Sequence, residues 1–110
     1  MNFENYESYA LQFVAFDTSR PLQYLLPALT EEVGELQGIF AKNFRKYGNY
    51  ELAPHQQEEV LSELGDILWN LAMITTFTGN DLDHVARNNI DKLSQREEQG
   101  TIATIQRRES

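Results

Sequence analysis

The stretch PHQQEEVLSELGDILWNLAMITTFT, residues 54–78, decides the fold. Its large apolar residues recur every three or four positions, which is the period of a helix with one apolar face. Pro54 suits the first turn of that helix, because its missing N–H would have no helical partner there. Gly79 suits the end of the helix. The stretch therefore predicts an amphipathic helix long enough to organise a helical bundle.

Three further segments show the same helical spacing. Pro27 is expected in the first turn of the second helix, Gly48 at its carboxyl-terminal cap and Asn80 at the N-cap of the fourth helix. No alternating pattern typical of strands appears. We therefore predict an all-α protein of one domain over residues 1–110, a small bundle of four helices. The predicted helices cover residues 3–16, 27–47, 54–78 and 81–98, followed by an extended tail at 101–110.

Composition excludes several classes of protein. The chain has 17 acidic residues against 9 Lys and Arg, a net charge of −8, which disfavours binding to a nucleic-acid duplex. It has no cysteine, so disulfides, thiolate metal sites and a cysteine nucleophile are excluded. No leader segment and no apolar run of membrane-spanning length appears. We therefore expect a cytoplasmic protein with no membrane partner.

Two acidic pairs lie at helical spacing, Glu32 with Glu35 and Glu63 with Asp66. An α-helix turns about 100° per residue, so positions i and i+3 lie about 60° apart on one flank. Glu32 and Glu63 each fall at the edge of the apolar face of their helix. Acid pairs at this spacing usually form a solvated helix face. Their repetition at the apolar edges of two successive helices favours a functional site instead.

The two acidic pairs are expected to meet. A short loop joins the second and third helices, which predicts antiparallel neighbours. Four carboxylates brought together would repel each other by several kcal/mol in a partly buried site. A hard divalent cation such as Mg²⁺ would relieve that repulsion, because it prefers oxygen ligands. The sequence therefore predicts a metal site between these helices.

The fourth helix carries polar residues beside its apolar stripe. Asn89 lies near the middle of that stripe, and Lys92 and Arg96 lie toward one flank. Cations in this position suit either a carboxylate or a phosphate. The alternative is that the two cations merely neutralise the acidic cluster or extend along the surface.

Together these motifs resemble the MazG-like all-α nucleoside triphosphate pyrophosphohydrolases. The resemblance covers roughly residues 25–102. It rests on the E-x-x-E motif in EEVGEL (31–36), the E-x-x-D motif in ELGDILWNL (63–71) and the N-x-x-K-L-x-x-R segment in NNIDKLSQREEQGTI (88–102). The segment GIFAKNFRKYG (38–48) is similar to the basic end of the second helix in phage and bacterial members.

The resemblance implies a reaction in which a (d)NTP and water give a (d)NMP and diphosphate, in the control of nucleotide pools. It implies that Glu32, Glu35, Glu63 and Asp66 hold Mg²⁺, which Mn²⁺ could replace. Either Glu32 or Glu31 would orient or deprotonate the attacking water. Asn70 departs from the family, some of whose members have a substrate-contacting Tyr there. The expected substrate contacts are Asn89, Lys92, Arg96 and Asn70, with Lys42 as a further phosphate contact and Trp69 as a residue that could stack on the base.

The resemblance also implies a homo-oligomer, a dimer or a tetramer, in the cytoplasm of the host cell if a phage encodes it. A specialist for one purine nucleotide such as dGTP is a narrower alternative. A di-iron bundle would need Glu-x-x-His motifs, which neither His55 nor His84 supplies. A non-catalytic acidic helical interaction module is the remaining alternative, and it would need its acids on a solvated face.

Overall fold

Four α-helices account for most of the described chain. The computed structural model describes residues 1–100, and no strand occurs among them. The predicted all-α class is therefore confirmed, and the predicted tail at 101–110 lies outside the described residues. The helices are α1 (Phe3–Leu11), α2 (Pro21–Tyr47), α3 (Pro54–Phe77) and α4 (Leu82–Glu98).

α2 and α3 form an antiparallel hairpin that is fixed at its closed end by two side-chain amides. The buried Asn43 amide donates to the Glu51 carbonyl at 2.7 Å and to the Gln56 side-chain oxygen at 2.9 Å. Gln56 donates back to Asn43 at 2.8 Å. Gly48 ends α2 with φ of 75°, a left-handed conformation that costs glycine little. This end of the hairpin therefore has one defined register.

α1 packs against α3, and α4 begins against α1. The Trp69 indole N–H on α3 donates to the Ala10 carbonyl at 3.1 Å. The Leu82 N–H at the start of α4 donates to the Glu7 carboxylate at 2.7 Å, and a carboxylate stabilises a helix N-terminus. α2 and α4 do not pack against each other within residues 1–100.

The first helix is shorter than predicted. α1 ends at Leu11 rather than at residue 16, because the connecting segment turns back into the bundle. There the Phe16 ring stacks on Tyr24, with ring centroids 4.8 Å apart. It also contacts Trp69 edge-on at 6.3 Å. Tertiary aromatic contacts therefore override a helical pattern that continues in the sequence.

Two other helix starts differ from the prediction. α2 begins at Pro21, which takes the first-turn position, so Pro27 lies inside the helix instead of starting it. The fourth helix is capped by Asp81 rather than by Asn80. The Asp81 side chain accepts the N–H of His84 at 2.7 Å. Pro27 removes one helical hydrogen bond and α2 continues through it.

The buried core of the described residues is small, and it forms where α1, α2, α3 and the start of α4 meet. Partly buried aromatic side chains surround it, among them Phe16 and Trp69. None of the helices in residues 1–100 has both the length and the apolar character needed to cross a bilayer. The buried apolar residues in this part of the chain are Ala10, Leu25, Ala72, Met73 and Leu82.

Candidate metal centre

Three carboxylates from two helices converge in the middle of the α2–α3 hairpin. One carboxylate oxygen from each of Glu32, Glu63 and Asp66 lies within 4.8 Å of the other two. Glu32 comes from α2, and the other two residues lie one turn apart on α3. The structure therefore brings together three of the four acids that helical spacing placed on facing flanks.

Glu35 lies at the exposed edge of the same cluster. Its pKa is raised, first by the negative charge of Glu63 and further by partial removal from water and by the charge of Glu31. Glu31 is exposed, and its negative charge acts on Glu35, but it is not a member of the carboxylate cluster. The predicted fourth ligand is thus close enough to interact with the other carboxylates, and Glu31 lies outside them.

Three buried oxygen atoms at this position have no hydrogen-bond donor within residues 1–100. They are one carboxylate oxygen, Oε2, of Glu32, the same atom of Glu63, and Oδ1 of Asn70. Asn70 is only 4% exposed, and its amide donates to the Asp66 carbonyl at 2.9 Å. Buried acceptors without donors are unfavourable. An all-oxygen set of this kind fits a hard divalent cation such as Mg²⁺.

The Glu32 carboxyl is held protonated to higher pH than an ordinary glutamate. Its pKa is raised from 4.5 to about 7. The largest cause is a hydrogen bond that its protonated form shares with Glu63. Burial adds to the shift, followed by the negative charges of Glu35, Asp66 and Glu63. Without a cation, a proton therefore partly neutralises the cluster near neutral pH.

We expect the metal-free protein to lose stability as pH rises. The folded pKa of Glu32, about 7, exceeds the ordinary value of 4.5, so the folded state binds this proton more tightly. Its contribution is complete below pH 4.5 and is lost as pH rises through about 7. Glu32 is partly exposed, so after screening the loss is about 1–2 kcal/mol. Urea unfolding of chelator-treated protein at about pH 5 and about pH 8 measures it.

The Glu32→Gln variant is the control for this pH effect, because it removes the titrating group and keeps its shape. The wild type should lose more stability between the two pH values than the variant does. An equal change in both proteins would show that the Glu32 proton does not stabilise the fold.

The polar residues of α4 that the sequence analysis expected at the site are not members of the carboxylate cluster described above. Asn89 and Lys92 are exposed and line a shallow groove with Phe3 and Leu82. Arg96 lies in the last turn of α4. Of the apolar stripe on which Asn89 lies, Val85 and Ile90 are exposed, whereas Leu82 at the start of the helix is buried. Within residues 1–100, α4 does not pack against α2, the helix that carries Glu32 and Glu35.

Lys42 and Trp69 lie in different directions from the cluster. Lys42 is exposed and follows Glu32 by ten positions, about 15 Å along the helix axis. Trp69 follows Asp66 by one turn and is half-buried. It lines an aromatic pocket beside the α1–α2 connection, so it packs within its own chain. The pocket is lined by Phe13, Ala15, Phe16, Asp17, Arg20, Gln23, Tyr24 and Trp69.

The sequence did not reveal that Tyr6 of α1 lies near the acids. The pKa of its phenol is raised by burial and, to a lesser extent, by the negative charge of Asp66. The two residues are 60 positions apart in the chain, and no local pattern links them. Only the packing of α1 on α3 brings a phenol O–H, a hydrogen-bond donor, to the edge of the cluster.

A comparison with protein families agrees with this geometry. The model described as the MazG nucleotide pyrophosphohydrolase domain matches residues 20–101, well over half of the chain. The chain belongs to the MazG nucleotide pyrophosphohydrolase family. The matched residues include α2, α3 and α4 and therefore both acidic motifs. The resemblance inferred from those motifs is thus confirmed.

Among known proteins, the chain is similar to the Gene 37 protein of Mycobacterium phage L5. The two are 27% identical over 86 residues, which cover 78% of this chain and 75% of the phage protein. No solved structure matches the chain significantly. Membership of the MazG family therefore rests on the family model. The structure shows in addition how the acidic residues of the two motifs are arranged.

Proposed function

We propose that this MazG-family chain is a metal-dependent nucleoside triphosphate pyrophosphohydrolase. It would convert a (d)NTP and water into a (d)NMP and diphosphate, and act on dNTPs in the control of nucleotide pools. The observation that supports this most is the carboxylate cluster with its three buried, donorless oxygens. A cation with oxygen ligands suits that cluster, and phosphates share such cations readily.

The acids divide into proposed ligands and proposed proton acceptors. Glu32, Glu35, Glu63 and Asp66 would hold Mg²⁺, or Mn²⁺ in its place. When bound, the ion would neutralise charge on the phosphate oxygens and acidify a water molecule. Glu32, inside the cluster, and Glu31, exposed beside it, are the proposed acceptors of the proton of that water.

The proposed substrate contacts surround the acids. Asn70 presents a buried oxygen without a donor, which would accept a hydrogen bond from a bound water or a sugar hydroxyl. Tyr6 can donate from its phenol. Asn89, Lys92 and Arg96 are the proposed contacts from α4, which does not pack against α2 within residues 1–100. Trp69 and its aromatic pocket would stack on the base, and Lys42 would meet a phosphate only if the nucleotide extended far along α2.

The alternative of a non-catalytic acidic interaction module is disfavoured, because oxygens of Glu32 and Glu63 are buried and not presented on a solvated face.

The similarity to a phage protein supports a phage origin, and we propose the host cytoplasm as the site of action.

The product assay tests this function directly. The protein is incubated with each of the common NTPs and dNTPs in Mg²⁺ or Mn²⁺, and the products are separated. We expect a monophosphate and diphosphate, with no product after chelation of the metal. Release of orthophosphate would contradict the stated reaction, and no monophosphate from any nucleotide would contradict the enzyme. Turnover of dGTP alone would identify the specialist alternative.

A further inference from the structure

The Tyr6 phenol and the Asn70 side-chain oxygen are a hydrogen-bond donor and acceptor that residues 1–100 leave without partners. Asn70 is 4% exposed, and its Oδ1 has no donor in that part of the chain. Its amide nitrogen donates to the Asp66 carbonyl, which fixes the orientation of the side chain. The phenol of the partly buried Tyr6 makes no hydrogen bond there. Because a buried acceptor without a donor is unfavourable, a ligand that donates to Oδ1 would stabilise the site.

Asp66 and Asn70 lie on the part of α3 between its two neighbouring helices. Trp69 marks the side that faces α1, because its indole N–H donates to the Ala10 carbonyl. Glu63 marks the side that faces α2, because its carboxylate clusters with one from that helix. At about 100° per residue, Asp66 and Asn70 fall between these two sides, on successive turns. The donorless oxygen of Asn70 therefore belongs to a residue next to the carboxylates, in the angle between α1 and α2.

Tyr6 approaches the same part of α3 from α1. It precedes Ala10 by one turn and packs against the core to which Ala10 belongs, so both residues share the side of α1 that faces α3. Burial raises the pKa of the phenol, and the negative charge of Asp66 raises it further, as expected when the phenol lies near that carboxylate. The phenol is therefore protonated at neutral pH and keeps its O–H as a donor.

Tyr6 and Asn70 lie between the carboxylates and the aromatic pocket. Tyr24, which lines the pocket, precedes Glu32 on α2 by eight positions, about 12 Å along the helix axis. Because α3 is antiparallel to α2, Asn70 follows the acids of α3 in the direction of the pocket. In a nucleotide the sugar likewise lies between the phosphates and the base. A nucleotide with its phosphates at the carboxylates and its base in the pocket therefore has its sugar beside these two residues.

We propose that Tyr6 and Asn70 together bind the 3′-hydroxyl of the substrate sugar. A hydroxyl can accept a hydrogen bond from the phenol and donate one to Oδ1 of Asn70 at the same time. A phosphate oxygen can only accept, so it would leave the Asn70 oxygen unpaired. In a deoxynucleotide the 3′-hydroxyl is the single hydroxyl of the sugar, which identifies the group. This contact rests on the proposed function and narrows its substrates to nucleotides with a free 3′-hydroxyl.

Family membership does not imply this contact. The family model matches residues 20–101, and Tyr6 lies before the first matched residue. The pair therefore combines Asn70, from the matched part of the chain, with a residue of α1, which precedes it. The packing of α1 on α3, held by the hydrogen bond from Trp69 to Ala10, brings the two side chains to one place.

Turnover of each dNTP, compared with that of the ddNTP of the same base, tests the proposal. The wild type should show a kcat/KM at least about 30-fold higher for the dNTP, because a site that pairs a substrate hydroxyl rejects analogues that lack it. Tyr6→Phe keeps the ring and removes the O–H, so it should lower this preference about tenfold. Because the ratio compares two substrates on one preparation, partial loss of folded protein leaves it unchanged.

Tyr9→Phe is the matched control, because Tyr9 lies on the same helix and is 58% exposed. It should keep the wild-type preference. A wild type that turns over dNTP and ddNTP equally would overturn this contact and leave the proposed function standing. So would a Tyr6→Phe protein that keeps the full preference.

Calorimetric binding of a dNMP and the matching ddNMP, which requires no turnover, separates this contact from the proposed function. The wild type should bind the dNMP at least about tenfold more tightly, and Tyr6→Phe should bind the two with nearly equal affinity. Equal affinities in the wild type would overturn the contact whether or not the protein is an enzyme. A preference for the dNMP in a protein that forms no monophosphate from any nucleotide would support the contact and contradict only the proposed function.

Discussion

Replacing Glu63 by Gln is expected to lower turnover by about a thousandfold or more, with the helix content unchanged. Glu63 contributes a carboxylate oxygen within 4.8 Å of those of Glu32 and Asp66, and its buried Oε2 has no donor within residues 1–100. Glutamine keeps the shape of the side chain, but it replaces a carboxylate by a neutral amide that binds a hard cation weakly. The assay is the formation of monophosphate in saturating Mg²⁺ or Mn²⁺.

The same variant should respond differently to metal. The wild type should gain thermal stability on addition of Mn²⁺, because the ion binds only the folded arrangement, and Glu63→Gln should gain much less. Glu58→Gln, on the exposed side of the same helix, is the control and should behave like the wild type in both measurements. Normal turnover by Glu63→Gln would place the active site away from the carboxylate cluster.

Leu25→Ala is expected to reduce the free energy of unfolding by about 2–5 kcal/mol. Leu25 is 0% exposed and is one of the five buried apolar residues found among residues 1–100. The loss is a large share of the about 5–15 kcal/mol that stabilises a typical domain. Urea unfolding at one fixed protein concentration measures it.

Leu11→Ala is the matched control for that substitution. Leu11, at the end of α1, is 43% exposed, so the same truncation should cost less than about 1 kcal/mol there. If Leu25→Ala cost no more than Leu11→Ala, the core would not be centred where α1, α2, α3 and the start of α4 meet.

The acidic cluster could be anticipated because it depends on local rules. The spacing of Glu63 and Asp66 sets their common flank, and a short loop makes α2 and α3 neighbours. Tyr6 could not be anticipated, because its approach to Asp66 depends on how a remote helix packs. Only tertiary contacts, which a single sequence does not show, bring the two together.

The ends of the helices likewise depend partly on local sequence and partly on tertiary contacts. The pattern of α1 continues to Phe16, yet stacking of that ring on Tyr24 ends the helix earlier. Pro27 looked like a first residue because proline is most easily accommodated there, but Pro21 takes that place. On α4 the apolar stripe around Asn89 was visible in the sequence. An apolar stripe in a sequence indicates that the helix packs against another apolar surface, but it does not indicate which surface that is.

Trp69 gives the protein a built-in optical reporter. It is the single tryptophan of the chain, so the indole fluorescence comes from one known place. Its ring is held by a hydrogen bond to Ala10 and by the edge of Phe16, one turn of α3 beyond Asp66. Nucleotide or cation titrations can therefore be followed on the unlabelled wild-type chain.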